Sequence, residues 1–254
     1  MSSAPPTPAT DVVPLTEPSD GVGPVVATPE AFARVVERFA AATGPVAADA
    51  ERASGYRYGQ STYLVQVRRA GAGTALLDPV ALPDLSALGK AVGDVEWVLH
   101  AASQDLPGLA EHGLRPARVF DTELAARLLG MERVGLAAVV AEVLGLGLAK
   151  EHSAVDWSTR PLPNDWLRYA ALDVEVLLEL REKLGERLEA AGKAEWAAQE
   201  FEAVRTAPPP APRPEPWRRT SGTHALRDRR QLAVVRSLWT AREASARARD
   251  VSPG

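Results

Sequence analysis

The stretch Val46-Ala47-Ala48-Asp49-Ala50-Glu51 constrains this chain more than any other. Gly44-Pro45 precedes it and ends a helical pattern, so the apolar run reads as an opening β-strand. In a strand alternate side chains share a face, which puts Asp49 and Glu51 side by side. Two carboxylates on one face of a buried strand repel each other and lose hydration. A divalent cation would compensate them; an exposed strand end with solvated acids would need nothing. Asp-x-Glu recurs at Asp94/Glu96, Asp121/Glu123 and Asp173/Glu175, so the pair discriminates only if other acids reach this strand.

The chain predicts an α/β domain with a mixed sheet. A helix start is written in Thr28-Pro29-Glu30, a capping hydroxyl followed by proline at the first helical position. Behind the first strand, Thr62–Arg68 and Thr74–Asp78 flank Gly71-Ala72-Gly73 and read as a hairpin. Residues 84–92 read as a helix, Trp97–His100 as a buried strand, and Val119-Phe120 as the last short strand. From there to about residue 200 the pattern is helical, and strands followed by alternation and then helices suit an α/β layer structure. Residues 1–29, rich in Pro, Thr and Ser, read as a disordered lead-in to a domain over residues 30–203. Residues 204–216 form a Pro-rich, extended linker, and residues 217–254 carry one amphipathic helix that cannot bury its own apolar face.

Composition removes several function classes. The 254 residues include no cysteine, which excludes disulfides, thiolate metal sites and a cysteine nucleophile. No apolar run reaches the length of a membrane span and no signal peptide is visible, so a cytoplasmic location is the default, with no membrane partner. No Gly-x-Ser-x-Gly elbow, P-loop or His-Glu-x-x-His appears, and the four histidines lie in unrelated contexts. Nine arginines face three acids in residues 217–254, leaving twenty basic and thirty acidic residues before them. An acidic body with a basic tail fits a metal-dependent enzyme acting on a polyanion, although arginine bias in a GC-rich genome gives the same pattern.

Two further acids could meet the first pair. Asp105 lies just past the Trp97–His100 strand, where α/β sheets place their sites. Tyr169 and Asp173 are four residues apart on a helix face that also carries Trp166, Ala170 and Leu177. That face is apolar, so Asp173 needs a partner. Glu175 points away and reads as solvated, and Asp121 as a helix cap. Asp49, Glu51, Asp105 and Asp173 around one point would hold two divalent cations, Mg²⁺ or Mn²⁺, the arrangement for in-line attack on a phosphodiester. Tyr169, one turn from Asp173, could position the water.

The ordered set Asp49-x-Glu51, His100-Ala-Ala-Ser-Gln-Asp105 and Tyr169-Ala-Ala-Leu-Asp173 resembles the three exonuclease motifs of the DEDDy branch of the DnaQ-like family. More narrowly, with Leu64-Val65-Gln66, Phe120–Leu124 and Asp156–Leu162, the chain is similar to ribonuclease D over roughly residues 40–200. The resemblance implies a ribonuclease H-like fold, metal ligation by Asp49, Glu51, Asp105 and Asp173, and a water-orienting Tyr169. It also implies a 3′→5′ exoribonuclease acting on single-stranded RNA 3′ ends, with precursor tRNA as substrate and nucleoside 5′-monophosphates as products. No obligate protein partner is called for. The tail from Trp217 resembles the start of an HRDC domain. Ala50 and Arg52 depart from the family, where Thr often lies between the acids and an aromatic residue follows the Glu. Tyr56 or Tyr58 could supply the missing stacking surface, or be ordinary loop aromatics. A DNA exonuclease with the same site, and a catalytically silent nucleic-acid-binding fold, remain as alternatives.

Overall fold

In the computed structural model, which describes residues 12–148, 154–208, 211 and 213–253, a five-stranded mixed sheet lies between two layers of helices. Its strands are β2 (Val46–Arg52), β3 (Thr62–Arg69), β4 (Gly73–Leu77), β5 (Glu96–Leu99) and β6 (Arg118–Asp121), in the order β4-β3-β2-β5-β6. The first three pair antiparallel as a meander, whereas β2, β5 and β6 run parallel. β2 is therefore central and has neighbours on both sides. Its alternation sorts the two cores: Val46, Ala48 and Ala50 face one helical layer, and Ala47 faces the other, the side shared by Asp49 and Glu51.

The first layer holds α1 (Pro29–Ala41), α2 (Ser86–Ala91) and α3 (Leu106–Glu111). Phe32, Val35 and Phe39 of α1 pack on Val65, Val67, Trp97 and Leu99. Thr28 caps α1, its Oγ1 accepting from Ala31 N at 3.3 Å, as the Thr-Pro-Glu start predicts. The second layer holds α4 (Thr122–Leu128), α5 (Leu136–Leu144), α6 (Asn164–Ala190) and α7 (Ala194–Thr206). α6 has 27 residues, about 40 Å at 1.5 Å per residue, and crosses β2, β3, β4 and β5. Val174, Leu177, Leu180 and Leu184 form its buried stripe against Val98, Phe120 and Phe201.

Two sequence expectations give way here. Residues 12–28 are not a disordered lead-in: β1 (Val13–Leu15) pairs in parallel with β7 (Leu146–Leu148), a strand the sequence reading lacked. Three residues of Leu-Gly-Leu carry too little alternation to be recognised, and β1 is held by a partner 133 positions away. Val26 then bridges to Leu77, and Ser19 N donates to both carboxylate oxygens of Glu175 at 3.0 and 3.1 Å. Glu175 is thus an anchor for the incoming chain and not a freely solvated acid. Residues 1–11 of the expected lead-in lie outside the described residues.

The tail forms α8 (Arg229–Arg249), and Trp217 before it is buried. The end of α8 rests on the loop after β2: Tyr58 N donates to Asp250 Oδ1 at 3.3 Å, and Ser252 N to Tyr56 O at 3.0 Å. Val234 and Leu238 on the same helix stay 57% and 66% exposed, whereas Leu232, Val235 and Trp239 are half-buried. Among the described residues no helix is long and apolar enough to cross a membrane.

The α2–α3 junction supplies a test of the packing. Gly113 has φ +80°, and a Cβ there would lie 2.7 Å from Ser86 Cβ. Gly130 has φ +79° but open space around it. Gly113→Ala should lower stability in urea by about 2–4 kcal/mol, backbone strain plus overpacking. Gly130→Ala should cost only about 1–2 kcal/mol, from backbone strain alone. Equal costs would mean that the close approach to Ser86 is absent.

Candidate active site

Asp49 and Glu51 project from β2 toward α6, where Asp173 meets them one turn after Tyr169. One carboxylate oxygen from each of Asp49, Glu51 and Asp173 lies within 4.8 Å of the other two. At that separation each ionised pair repels by about 3–4 kcal/mol at an effective dielectric of about 20. Glu51 and Asp173 are each only 9% exposed, so water does little to offset this.

Asp105 arrives from a different element. After β5, Ala101 takes a left-handed conformation (φ 59°), a single 3₁₀ turn follows over Ala102–Gln104, and Asp105 opens α3. That reversal is held by Asp121, whose Oδ1 and Oδ2 accept from Ala101 N at 3.1 Å and Ala102 N at 2.8 Å. The same carboxylate caps α4 by accepting from Glu123 N and Leu124 N. The cap role follows from the sequence; the clamp on the Asp105 turn does not, because it spans 20 residues. His100 is fixed beside it, its Nδ1 2.8 Å from Thr122 Oγ1. Asp105 is 4% exposed, lies beside Asp49, and pairs with Arg52 Nη1 at 3.2 Å.

The structure thus brings all four predicted acids to one place, three with carboxylate oxygens within 4.8 Å of one another and Asp105 beside Asp49. Tyr169 hydrogen-bonds Asp173 and lines the same cavity, of about 330 Å³. Tyr56 and Tyr58, the two candidates for a stacking surface, are not among the residues lining this cavity. Tyr58 donates to Glu243 Oε2 at 3.4 Å and receives a hydrogen bond from Arg247 of α8, and Tyr56 donates to Ala154 O. Both hydroxyls brace the loop after β2 against neighbouring segments.

One site residue was legible only as a supporting stretch. Gln66 of β3 stands opposite Asp49 in the ladder and is fully buried. Its Nε2 donates to Asp49 Oδ2 at 3.3 Å and to Glu51 Oε1 at 3.2 Å, holding the two carboxylates in fixed orientation. An amide inside the apolar run Tyr63-Leu64-Val65-Gln66-Val67 is the signal that points to it.

Burial raises the carboxyl pKa values. Asp105 and Asp173 are each pushed up to about 8, first by desolvation and then by the charge of Asp49. Glu51 is held well above its ordinary range by burial and by the charges of Asp49, Asp173 and Asp105. Tyr169 is raised by burial and then by Asp173, which keeps its hydroxyl a proton donor. An all-carboxylate set of this density suits a hard divalent cation with oxygen ligands, and the residues present fit one.

With this geometry in hand, comparison with known proteins identifies the class. A 3′-5′ exonuclease family model matches residues 24–189, and the chain belongs to that family. Among individual proteins, ribonuclease D of Acidiphilium cryptum is 36% identical over 232 residues, 87% of this chain and 57% of that protein. A crystal structure of a protein from Bifidobacterium adolescentis is 51% identical, with a TM-score of 0.92 over 95% of this chain and 60% of that one. The crystal structure of Escherichia coli RNase D, described as an exoribonuclease involved in structured RNA processing, is 32% identical. Its TM-score is 0.69 over 91% of this chain and 62% of that one. The chain spans about half the length of the curated relatives it matches.

Two outcomes follow from the site. Carboxyls raised from 3.8 to about 8 bind protons in the folded state that the unfolded chain releases. Their contribution therefore lowers the stability of the metal-free protein as pH rises from about 4 to about 8. Mn²⁺ held by these carboxylates would displace those protons, so the stabilisation it confers should grow over the same window. Thermal melts with and without Mn²⁺ check both, and Asp173→Asn should flatten both trends; an unchanged pH slope in that variant would contradict the assignment. Asp121→Ala should cost about 2–4 kcal/mol, because buried N–H groups lose their acceptor. It should also weaken Mn²⁺ binding by releasing the Asp105 turn, and calorimetry reads both effects.

Proposed function

We propose that this chain is a metal-dependent 3′→5′ exoribonuclease of the DEDDy type, acting on single-stranded RNA 3′ ends and releasing nucleoside 5′-monophosphates. The observation that carries the reading is the convergence of Asp49, Glu51 and Asp173 within 4.8 Å, with Asp105 beside Asp49 and Tyr169 bonded to Asp173. Asp49, Glu51, Asp105 and Asp173 would hold two divalent cations, Mg²⁺ or Mn²⁺. When bound, such a pair activates water and stabilises the departing 3′ oxygen in an in-line displacement. The four carboxylates fix where that chemistry happens, and Gln66 limits the orientations of two of them. Tyr169 keeps its proton and, one helical turn from Asp173, orients the attacking water through its hydroxyl.

The finer reading is precursor tRNA as the substrate, in a cytoplasmic setting, with residues 30–203 as the exonuclease domain, residues 204–216 as linker and residues 217–254 as the start of an HRDC-like helical module. The ribonuclease D relatives support the RNA substrate. Gel analysis of a 5′-labelled single-stranded RNA with Mg²⁺ should give a ladder shortening from the 3′ end, and EDTA should stop it. Asp49→Asn should slow it by more than about a hundredfold. Tyr169→Phe should lower turnover by about a hundredfold with little change in RNA affinity. An equal loss of turnover and affinity would remove the water-orienting role, and an active Asp49→Asn would remove the site.

A further inference from the structure

Among the described residues lining the acidic cavity, Arg52 is the one with a full positive charge. Strict alternation along β2 would send it to the face opposite Glu51. The ladder slips between Glu51 and Arg52, so that Arg52 stands opposite Thr62, and the irregularity brings the side chain to the cavity. There Nη1 lies 3.2 Å from Asp105 Oδ1 and also donates to the carbonyl of Gln104. The Arg52 side chain is 21% exposed, whereas that of Asp105 is 6% exposed, so the guanidinium has access to solvent while the carboxylate does not.

The pairing divides the acids. Asp49, Glu51 and Asp173 cluster closely enough to share a cation, and Asp105, although it reaches Asp49, is turned to an arginine. Asp105 has a second oxygen for a metal, but a guanidinium and a divalent cation bridged by one carboxylate repel each other. Metal on Asp105 therefore weakens its pairing with Arg52. Its fork of donors, displaced at the rim of the cavity, matches a phosphate.

Building on the metal-site reading, we propose that Arg52 is a resident counter-cation. It occupies Asp105 in the metal-free site, yields that carboxylate to an incoming divalent cation, and then contacts a backbone phosphate of the RNA entering the cavity. This gives the departure from the family's aromatic residue a specific consequence: at this position the chain recognises the backbone through charge, with no dependence on the identity of the base. It also links metal loading to RNA binding, since the same guanidinium is released by one and used by the other.

The two halves of the proposal move in opposite directions, which makes them separable from a structural defect. Mn²⁺ binding to the full chain is measured by electron paramagnetic resonance without RNA. Binding of a single-stranded RNA with an uncleavable 3′-terminal linkage is then measured in saturating Mn²⁺. Arg52→Ala should tighten Mn²⁺ binding by about tenfold, because a competing charge is gone. The same variant should weaken RNA binding by about tenfold. Arg52→Lys keeps the charge and should hold Mn²⁺ affinity near that of the wild type. Asp49→Asn serves as the reference for the metal site. If Asp49→Asn weakens Mn²⁺ binding while Arg52→Ala leaves it unchanged or weaker, the site stands and the Arg52 proposal fails. If Arg52→Lys tightens Mn²⁺ binding as Arg52→Ala does, charge is not the cause and the proposal again fails. If Asp49→Asn leaves Mn²⁺ binding intact, both the metal site and the proposal fall.

Discussion

Mutual repulsion among buried carboxylates is the constraint to which the rest of this structure answers. Asp49, Glu51 and Asp173 share a space where each ionised pair costs several kcal/mol and water is largely excluded. The protein meets that cost with partial measures. Gln66 gives one N–H to each of Asp49 and Glu51, Arg52 takes Asp105, and Tyr169 bonds Asp173. Raised pKa values are the physical sign that these measures do not suffice and that the metal-free cluster holds protons. Under the proposed function, divalent cations bound here would replace those protons and supply the chemistry for attack on a phosphodiester.

The scaffold keeps the acids from relaxing apart. β2 is flanked by β3 and β5 through backbone ladders, so its side chains cannot drift along the sheet. α6 is held across it by a long apolar stripe, and truncating Leu180 or Leu184 within it would cost about 2–5 kcal/mol. The Asp105 turn is fixed by the carboxylate of Asp121 through two backbone N–H groups, and the same carboxylate caps α4 through two more. On the far edge, Arg160 bonds both oxygens of Asp78 and the carbonyl of Tyr63, which ties the segment before α6 to the sheet. Stability made elsewhere thus sustains an unfavourable arrangement at the centre.

What the sequence revealed, and what it hid, divides along range of interaction. The period-two spacing of Asp49 and Glu51, the four-residue spacing of Tyr169 and Asp173, and the Thr28 cap are local, and each was readable directly. The convergence of Asp105 with the others rested on motif order, because nothing local makes a chain reverse at Ala101. The Gln66 bridge was visible only as a polar residue out of place in an apolar strand. β1 and β7 were missed because a three-residue strand is defined by its partner and not by its own pattern. Glu175 looked solvated for the same reason, its partner Ser19 being 156 residues away. Tyr58 reads as a candidate for stacking from the sequence, but its hydroxyl is engaged by Glu243 and Arg247 of α8, partners 185 and 189 residues away.

The central claim is that four carboxylates from three separate segments form one metal site. Anomalous diffraction from crystals of the full chain soaked in Mn²⁺ tests this most directly. The account predicts two peaks, both bounded by Asp49, Glu51, Asp105 and Asp173, with Arg52 withdrawn from Asp105. Strong peaks elsewhere, or none among these acids at saturating Mn²⁺, would contradict it.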